Sequence, residues 1–133
     1  MILTTKARYG VMALMEIAQN NNNQPISLTT ISKRQKISLS YLEQIFSQLK
    51  KAGIVNSSKG SNGGYFLAKN CEEITVAQII KAIGEPIKMT RCKNEKTGCI
   101  NNKIKCKTHH LWSGLESKIY DYLNSILLQS LCK

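Results

Sequence analysis

The chain has 133 residues, five of them cysteine, and a net charge of +11 from 19 Lys and Arg against eight Asp and Glu. That length allows one domain with an appended helix, and a core modest enough that a second copy would help to bury it. No run approaches the roughly 18 apolar residues of a membrane span, and Arg8 and Glu16 interrupt the only early apolar stretch.

The expected location is therefore the cytoplasm, with no membrane partner. Thiols there are reduced, so clustered cysteines favour metal or redox chemistry over disulfides. The charge is unevenly placed. Residues 1–70 hold nine Lys and Arg against Glu16 and Glu43 alone, an excess that suits nucleic acid.

In chain order, residues 4–19 predict a first helix, with Val11, Leu14, Met15 and Ala18 on one apolar face. Asn20 to Asn23 is a polar loop. Ser27 caps a short helix at about Leu28–Gln35, with Leu28 and Ile31 inward. After a break at Lys36–Ser38, a third helix runs about Leu39–Lys51 and stops at Gly53. Leu42, Ile45, Phe46 and Leu49 form its apolar face. The opposite face carries Ser40, Tyr41, Glu43, Gln44, Ser47, Gln48 and Lys51. Two helices joined by a tight turn, the second with hydrogen-bonding groups near its start, follow the grammar of a helix-turn-helix; the plainer reading is a helical hairpin.

A strand at Ile54–Ser58, a glycine-rich turn from Lys59 to Gly64 and a second strand at Tyr65–Leu67 come next. Placed straight after a recognition helix, such a hairpin is a wing, and its glycines let the tip approach a phosphate backbone. Otherwise it is a surface hairpin with a necessary turn. Thr75 opens a fourth helix, with Gln78 placed for a capping box and Val76, Ile79, Ile80 and Ile83 buried.

Between Met89 and His110 the pattern loses all period. Cys92, Cys99 and Cys106 lie in a Lys-rich segment, His109 follows Cys106 by three, and His110 is next. Thiolate and imidazole hold zinc or iron–sulfur clusters. Zinc fingers favour close Cys-x2-Cys pairs, whereas the spacing here is Cys-x6-Cys-x6-Cys-x2-His. Cys106 and His109 as nucleophile and base lack an oxyanion-stabilising turn and an orienting third group, so an enzyme is not expected. Cys71 and Cys132 are isolated in sequence and read as incidental.

From about Thr108 to Leu131 the chain reads as one helix, about 36 Å long at 1.5 Å per residue. Trp112, Leu115, Ile119, Tyr122 and Ile126 form a stripe that Leu111, Tyr120, Leu123, Leu127, Leu128 and Leu131 widen. A helix apolar on more than one side suits packing against its counterpart in a homodimer; the alternative is packing wholly on its own domain.

Taken together, these elements resemble the IscR-type family of winged-helix, iron–sulfur-sensing transcription regulators. The likeness covers nearly the whole chain. It is densest in Ile37-Ser38-Leu39-Ser40-Tyr41-Leu42-Glu43-Gln44, in Gly63-Gly64-Tyr65, in Thr90-Arg91-Cys92 and in Thr108-His109, with Leu111-Trp112 after it. The fold this implies is mainly α with a small β-hairpin wing, a winged helix-turn-helix plus a long C-terminal dimerisation helix. The implied division is a DNA-binding domain at 1–87, a cysteine-rich cluster-binding loop at 88–110 and the dimerisation helix at 111–133.

The resemblance implies a 2Fe–2S cluster on Cys92, Cys99, Cys106 and His109; His110 has no counterpart in that motif. It implies a DNA-binding repressor or activator, not an enzyme, that controls iron–sulfur assembly genes. Its partners would be a near-palindromic double-stranded operator, a second copy of the chain, and the assembly machinery as cluster donor. Ser38, Ser40, Tyr41, Glu43, Gln44 and Lys59 are the expected DNA contacts. Gln44 suits adenine, Glu43 suits cytosine N4, and Lys59 suits phosphate. For Glu43 the family role is discrimination between operator classes, and the local alternative is a Ser40-x-x-Glu43 capping box.

The chain departs from the family in two places. Each inter-cysteine gap is one residue longer, and the wing has Lys59 and Ser61-Asn62 where the family has Arg and Pro-Gly. A cluster-free regulator that responds to thiol oxidation or another metal is the alternative within the class, and an electron carrier lies outside it.

Overall fold

The structure, a computed structural model, describes residues 4–20, 24–85, 87 and 107–132. Its elements are α1 (Thr5–Ala18), α2 (Leu28–Gln35), α3 (Leu39–Lys51), β1 (Val55–Ser58), β2 (Gly64–Leu67), α4 (Val76–Ala82), α5 (His109–Ser125) and α6 (Leu128–Leu131).

Side-chain oxygens start the first four helices. Thr4 accepts from Ala7 N, Ser27 from Thr30 N and Ser38 from Tyr41 N, each taking up an amide that the helix leaves unpaired. Thr75 and Gln78 form the expected capping box at α4. Gly53, at φ +78°, ends α3.

α1, α2, α3 and α4 enclose a core centred on Phe46, with Leu14, Ile31, Leu42, Ile45, Leu49, Ile74, Ile79 and Ile83 fully buried around it. The α3 and α4 faces are those the sequence predicts. In α1 the buried face is centred one residue away from the expected stripe. It runs Ala7, Gly10, Ala13, Leu14 and Ile17, while Val11, Met15 and Ala18 lie at the core's edge. Small residues at 7, 10 and 13 let the α1 backbone come close to its neighbours, so the tightest contact falls there.

β1 and β2 pair antiparallel, with Val55 opposite Leu67 and Ser58 opposite Gly64. Ile26 adds a rung on the other edge of β2 by exchanging two backbone hydrogen bonds with Tyr65, of 3.0 and 2.8 Å. This rung dictates Gly64. Its φ is +155°, and a Cβ there would lie 2.3 Å from the Ile26 carbonyl. Only glycine lets the strand pass so close to the segment leading into α2. The Tyr65 ring then packs on Phe46, with centroids 4.9 Å apart, and joins the hairpin to α3.

The C-terminal helix is shorter than its periodicity suggests. It stops at Ser125, about 25 Å from its start by helical rise. Ile126 and Leu127 are extended, and a separate turn, α6, follows. The break has a long-range cause. Ile126 O accepts from Val76 N at 2.9 Å, Leu127 bridges Thr75, and Leu128 N donates to Ile74 O at 2.8 Å. Pairing with 74–76 turns Leu128 fully into the main core. Leu123, Ile126 and Leu131 pack beside it on Ala7, Val76 and Ile80.

Candidate nucleic-acid interface

Two backbone features set the start of α3. Lys36 ends α2 in the left-handed conformation (φ 57°, ψ 45°), and the Ser32 hydroxyl donates to Ile37 O. The chain thus reverses within three residues and begins α3 at Ser38. Ser38 is the N-cap, so Ser40 sits inside the first turn, with its hydroxyl 3.0 Å from that of Ser38. This removes the Ser40-x-x-Glu43 capping box as an explanation of Glu43.

Five of the six expected DNA-contacting residues therefore lie on the cap and the first two turns of one helix. Ser38, Ser40, Glu43 and Gln44 are exposed there. Tyr41 is half-buried, its ring meeting Tyr9 of α1 edge to face at 5.7 Å. No acidic residue lies in the first turn, so the unpaired amides and positive dipole end face solvent unopposed, an arrangement suited to phosphate.

The two carboxylates of residues 1–70 are used differently. Glu16 is committed to packing α1 on α2, 3.3 Å from Arg34 and accepting from Gln35 Nε2. Glu43 is exposed, and among the described residues nothing pairs with it. Glu43 is thus a free acceptor on a face that otherwise offers hydroxyls, an amide and cations.

Lys59, the sixth, is exposed at the start of the hairpin turn. Lys50 Nζ donates to Ser57 Oγ at 2.7 Å and fixes β1 to the last turn of α3. With the Phe46–Tyr65 contact, this makes the hairpin a rigid extension of the helix.

Four residues in or behind this surface are not evident from the sequence pattern. Leu39 is 40 % exposed at the α3 start, where an apolar side chain can meet a thymine methyl. Lys36 is exposed on the turn and Lys33 on α2 just before it. Tyr9 is a buttress for Tyr41; its position off the apolar stripe of α1 was the available signal.

Of the expected metal ligands, Cys92, Cys99 and Cys106 lie outside the described residues. His109 is the first residue of α5, half-buried, with its ring edge-on to His110 at 5.5 Å. Trp112 Nε1 donates to Thr108 Oγ1 at 2.9 Å and fixes the entry to the helix. Among the described residues no group of three or more His, Cys, Asp or Glu is placed to hold a metal ion. No described helix is long and apolar enough to cross a membrane.

The helix that His109 opens has no fully buried residue. Leu111 is 61 % and Tyr122 66 % exposed, and Leu115 and Tyr120 are also open. Leu111, Leu115 and Tyr122 share one face of this 17-residue helix, and Leu123, on another face, packs against α4.

Comparison with known proteins agrees with this architecture. A family model described as Rrf2, iron-dependent transcriptional regulator, matches residues 3–133. The HTH-type transcriptional regulators IscR of Pectobacterium atrosepticum and of Escherichia coli O1:K1 / APEC are each 46 % identical over 131 residues. The match spans 98 % of this chain and 79 and 80 % of those proteins. The structure of CymR, the global cysteine regulator of B. subtilis, superposes with a TM-score of 0.79 at 30 % identity, covering 99 % of this chain and 96 % of that one. T. potens IscR superposes with a TM-score of 0.77 at 32 % identity, covering 98 and 85 %. The hairpin is accordingly the wing of a winged helix, and the chain belongs to the Rrf2 family of transcriptional regulators.

Proposed function

We propose that this regulator acts in the cytoplasm as a homodimer. It reads a near-palindromic operator with two copies of α3 and of the wing, and its choice of operator follows the state of a 2Fe–2S cluster held by Cys92, Cys99, Cys106 and His109. The domain, loop and helix divisions at 1–87, 88–110 and 111–133 would serve reading, sensing and dimerisation. The observation that carries the reading is the position of His109. It opens the helix with the uncovered apolar face, directly after the cysteine segment, so order in that segment acts on the helix joining two readers.

The donor set fits such a group. Three thiolates and one imidazole are soft to borderline ligands, and imidazole in place of a thiolate lowers the negative charge at the site. Seven Lys and Arg lie in 88–107 against Glu95 alone, and they favour thiolate over thiol and an anionic occupant. When bound, the cluster supplies a state that follows iron–sulfur supply, with the assembly machinery as donor and its genes as target.

The chain's own residues do the reading. Ser38, Ser40 and Tyr41 position phosphate at the α3 dipole, Gln44 and Glu43 address base edges, and Lys59 holds the flanking backbone. Operator choice changes only by the difference in cluster affinity between the two DNA-bound forms.

Anaerobic purification followed by iron and sulfide assay and operator binding, with the cluster intact and removed, tests the reading. Iron and sulfide in equal amounts, with operator preference shifting on removal, are expected. An iron-free protein with unchanged operator choice overturns it and selects a cluster-free thiol-responsive regulator.

A further inference from the structure

Cys71 and Cys132, 61 positions apart, are brought together by the pairing of residues 71–76 with 126–129. Gln129 N donates to the Cys71 carbonyl at 3.2 Å, and Gln129 Nε2 donates to Glu72 Oε1 at 3.2 Å. Cys132 caps the same short helix one turn later, and its Sγ lies 3.3 Å from Leu128 O. Leu128 is buried in the main core, and Cys71 packs against that core. Both thiols are half-buried, so each is held in place yet reachable by a small oxidant. They also sense each other: burial, and then the neighbouring Cys71 sulfur, push the Cys132 thiol up from its ordinary pKa. Like-charge repulsion of this kind operates only between nearby groups.

We propose that Cys71 and Cys132 are a redox pair that a hydroperoxide converts to a disulfide, closing residues 71–132 into a covalent loop around α4, the cysteine-rich segment and α5. The Cys71 thiolate attacks the outer peroxide oxygen, and the O–O bond breaks. Sulfur keeps that oxygen as a sulfenic acid, and the other oxygen leaves as alcohol or water after taking a proton from solvent. The Cys132 sulfur, losing its proton, then attacks the Cys71 sulfur. The S–O bond breaks and hydroxide leaves as water. In sum, two thiols lose two electrons and two protons, and the hydroperoxide is reduced to water and alcohol. A dithiol reductant reverses the change by thiol exchange. The bond would lock the C-terminal turn onto the DNA-reading domain without touching the proposed cluster ligands.

The chain provides a clean assay. Trypsin releases Cys71 within 70–81 and Cys132 within 119–133, and neither fragment contains another cysteine. The full-length protein is treated with hydrogen peroxide, its free thiols are alkylated, and it is digested without reductant. A cross-linked 70–81/119–133 species is expected, two hydrogens lighter than the sum and absent after dithiothreitol. It should be missing from Cys71→Ser and from Cys132→Ser. It should persist when Cys92, Cys99 and Cys106 are all replaced by Ala, which separates this pair from the cluster. Its formation should raise Tm by about 5 °C or more, because a loop of this length loses entropy in the unfolded chain. Cys71 and Cys132 both recovered alkylated, or each linked to a cysteine of the 88–110 segment instead, overturns the proposal.

Discussion

Two residues show how closely the reading surface depends on backbone conformation. Lys36 occupies the left-handed region, where an L side chain is strained by about 1 kcal/mol and glycine is not. Its ammonium is exposed and pairs with nothing among the described residues, so it is held there by position and not by contact. Lys36→Gly should therefore leave the fold as stable or more stable, by up to about 1 kcal/mol in urea melts, while weakening DNA binding through the lost charge. A loss of stability would mean that the side chain has a structural role. Gly64 is the opposite case, because a Cβ there meets the Ile26 backbone, which cannot move without breaking the rung to Tyr65. Gly64→Ala should lower stability by about 2 kcal/mol or more and detach the wing. An unchanged urea midpoint would show that the segment before α2 yields freely.

At the scale of elements, the wing and α3 make different predictions because the proposed reading sets them against different parts of DNA. Lys59 is a point charge at the hairpin tip. Lys59→Ala should weaken binding to all sequences about equally and lower the slope of log affinity against log salt by about one. Glu43 is an uncommitted acceptor on the α3 face, so Glu43→Ala should leave the salt slope alone. It should relax discrimination at one base pair, by about 1–3 kcal/mol, measured across an operator library. If Glu43→Ala instead shifts affinity uniformly, the carboxylate acts through the general field and reads no base. The bounds of α2 and α3, the hairpin and the α4 capping box were legible in the sequence because caps, turn glycines and period act over a few residues. The true N-cap at Ser38 was less so, since Ser38 and Ser40 are equivalent by composition and the αL turn at Lys36 decides between them. The break after Ser125 and the approach of the Cys71 segment to the turn that carries Cys132 were not legible at all. Both depend on backbone pairing between 71–76 and 126–129, and no local pattern encodes a partner some 50 residues away.

For the whole molecule, the proposed homodimer would tie reading to assembly through the α5 surface. Leu111, Leu115 and Tyr122 remain open on one face of a helix that already packs on α4 through Leu123, and a lone chain would leave them in water. Covering them with the same helix of a second copy sets two α3 helices in a two-fold arrangement, which matches a palindrome with half-sites about one DNA turn apart. Tyr122→Asp sits at the most exposed of these positions, so it should not disturb the monomer core, yet it would bury a charge in any dimer. We expect sedimentation to show a monomer with an unchanged circular dichroism spectrum. Operator affinity should fall by at least 100-fold, because each half-site then binds alone and the gain from linking the two is lost. Binding to an isolated half-site should stay the same, which separates loss of assembly from damage to α3. A variant that remains dimeric and binds the full operator normally would move the interface off α5, and with it the route by which His109 reaches the second reader.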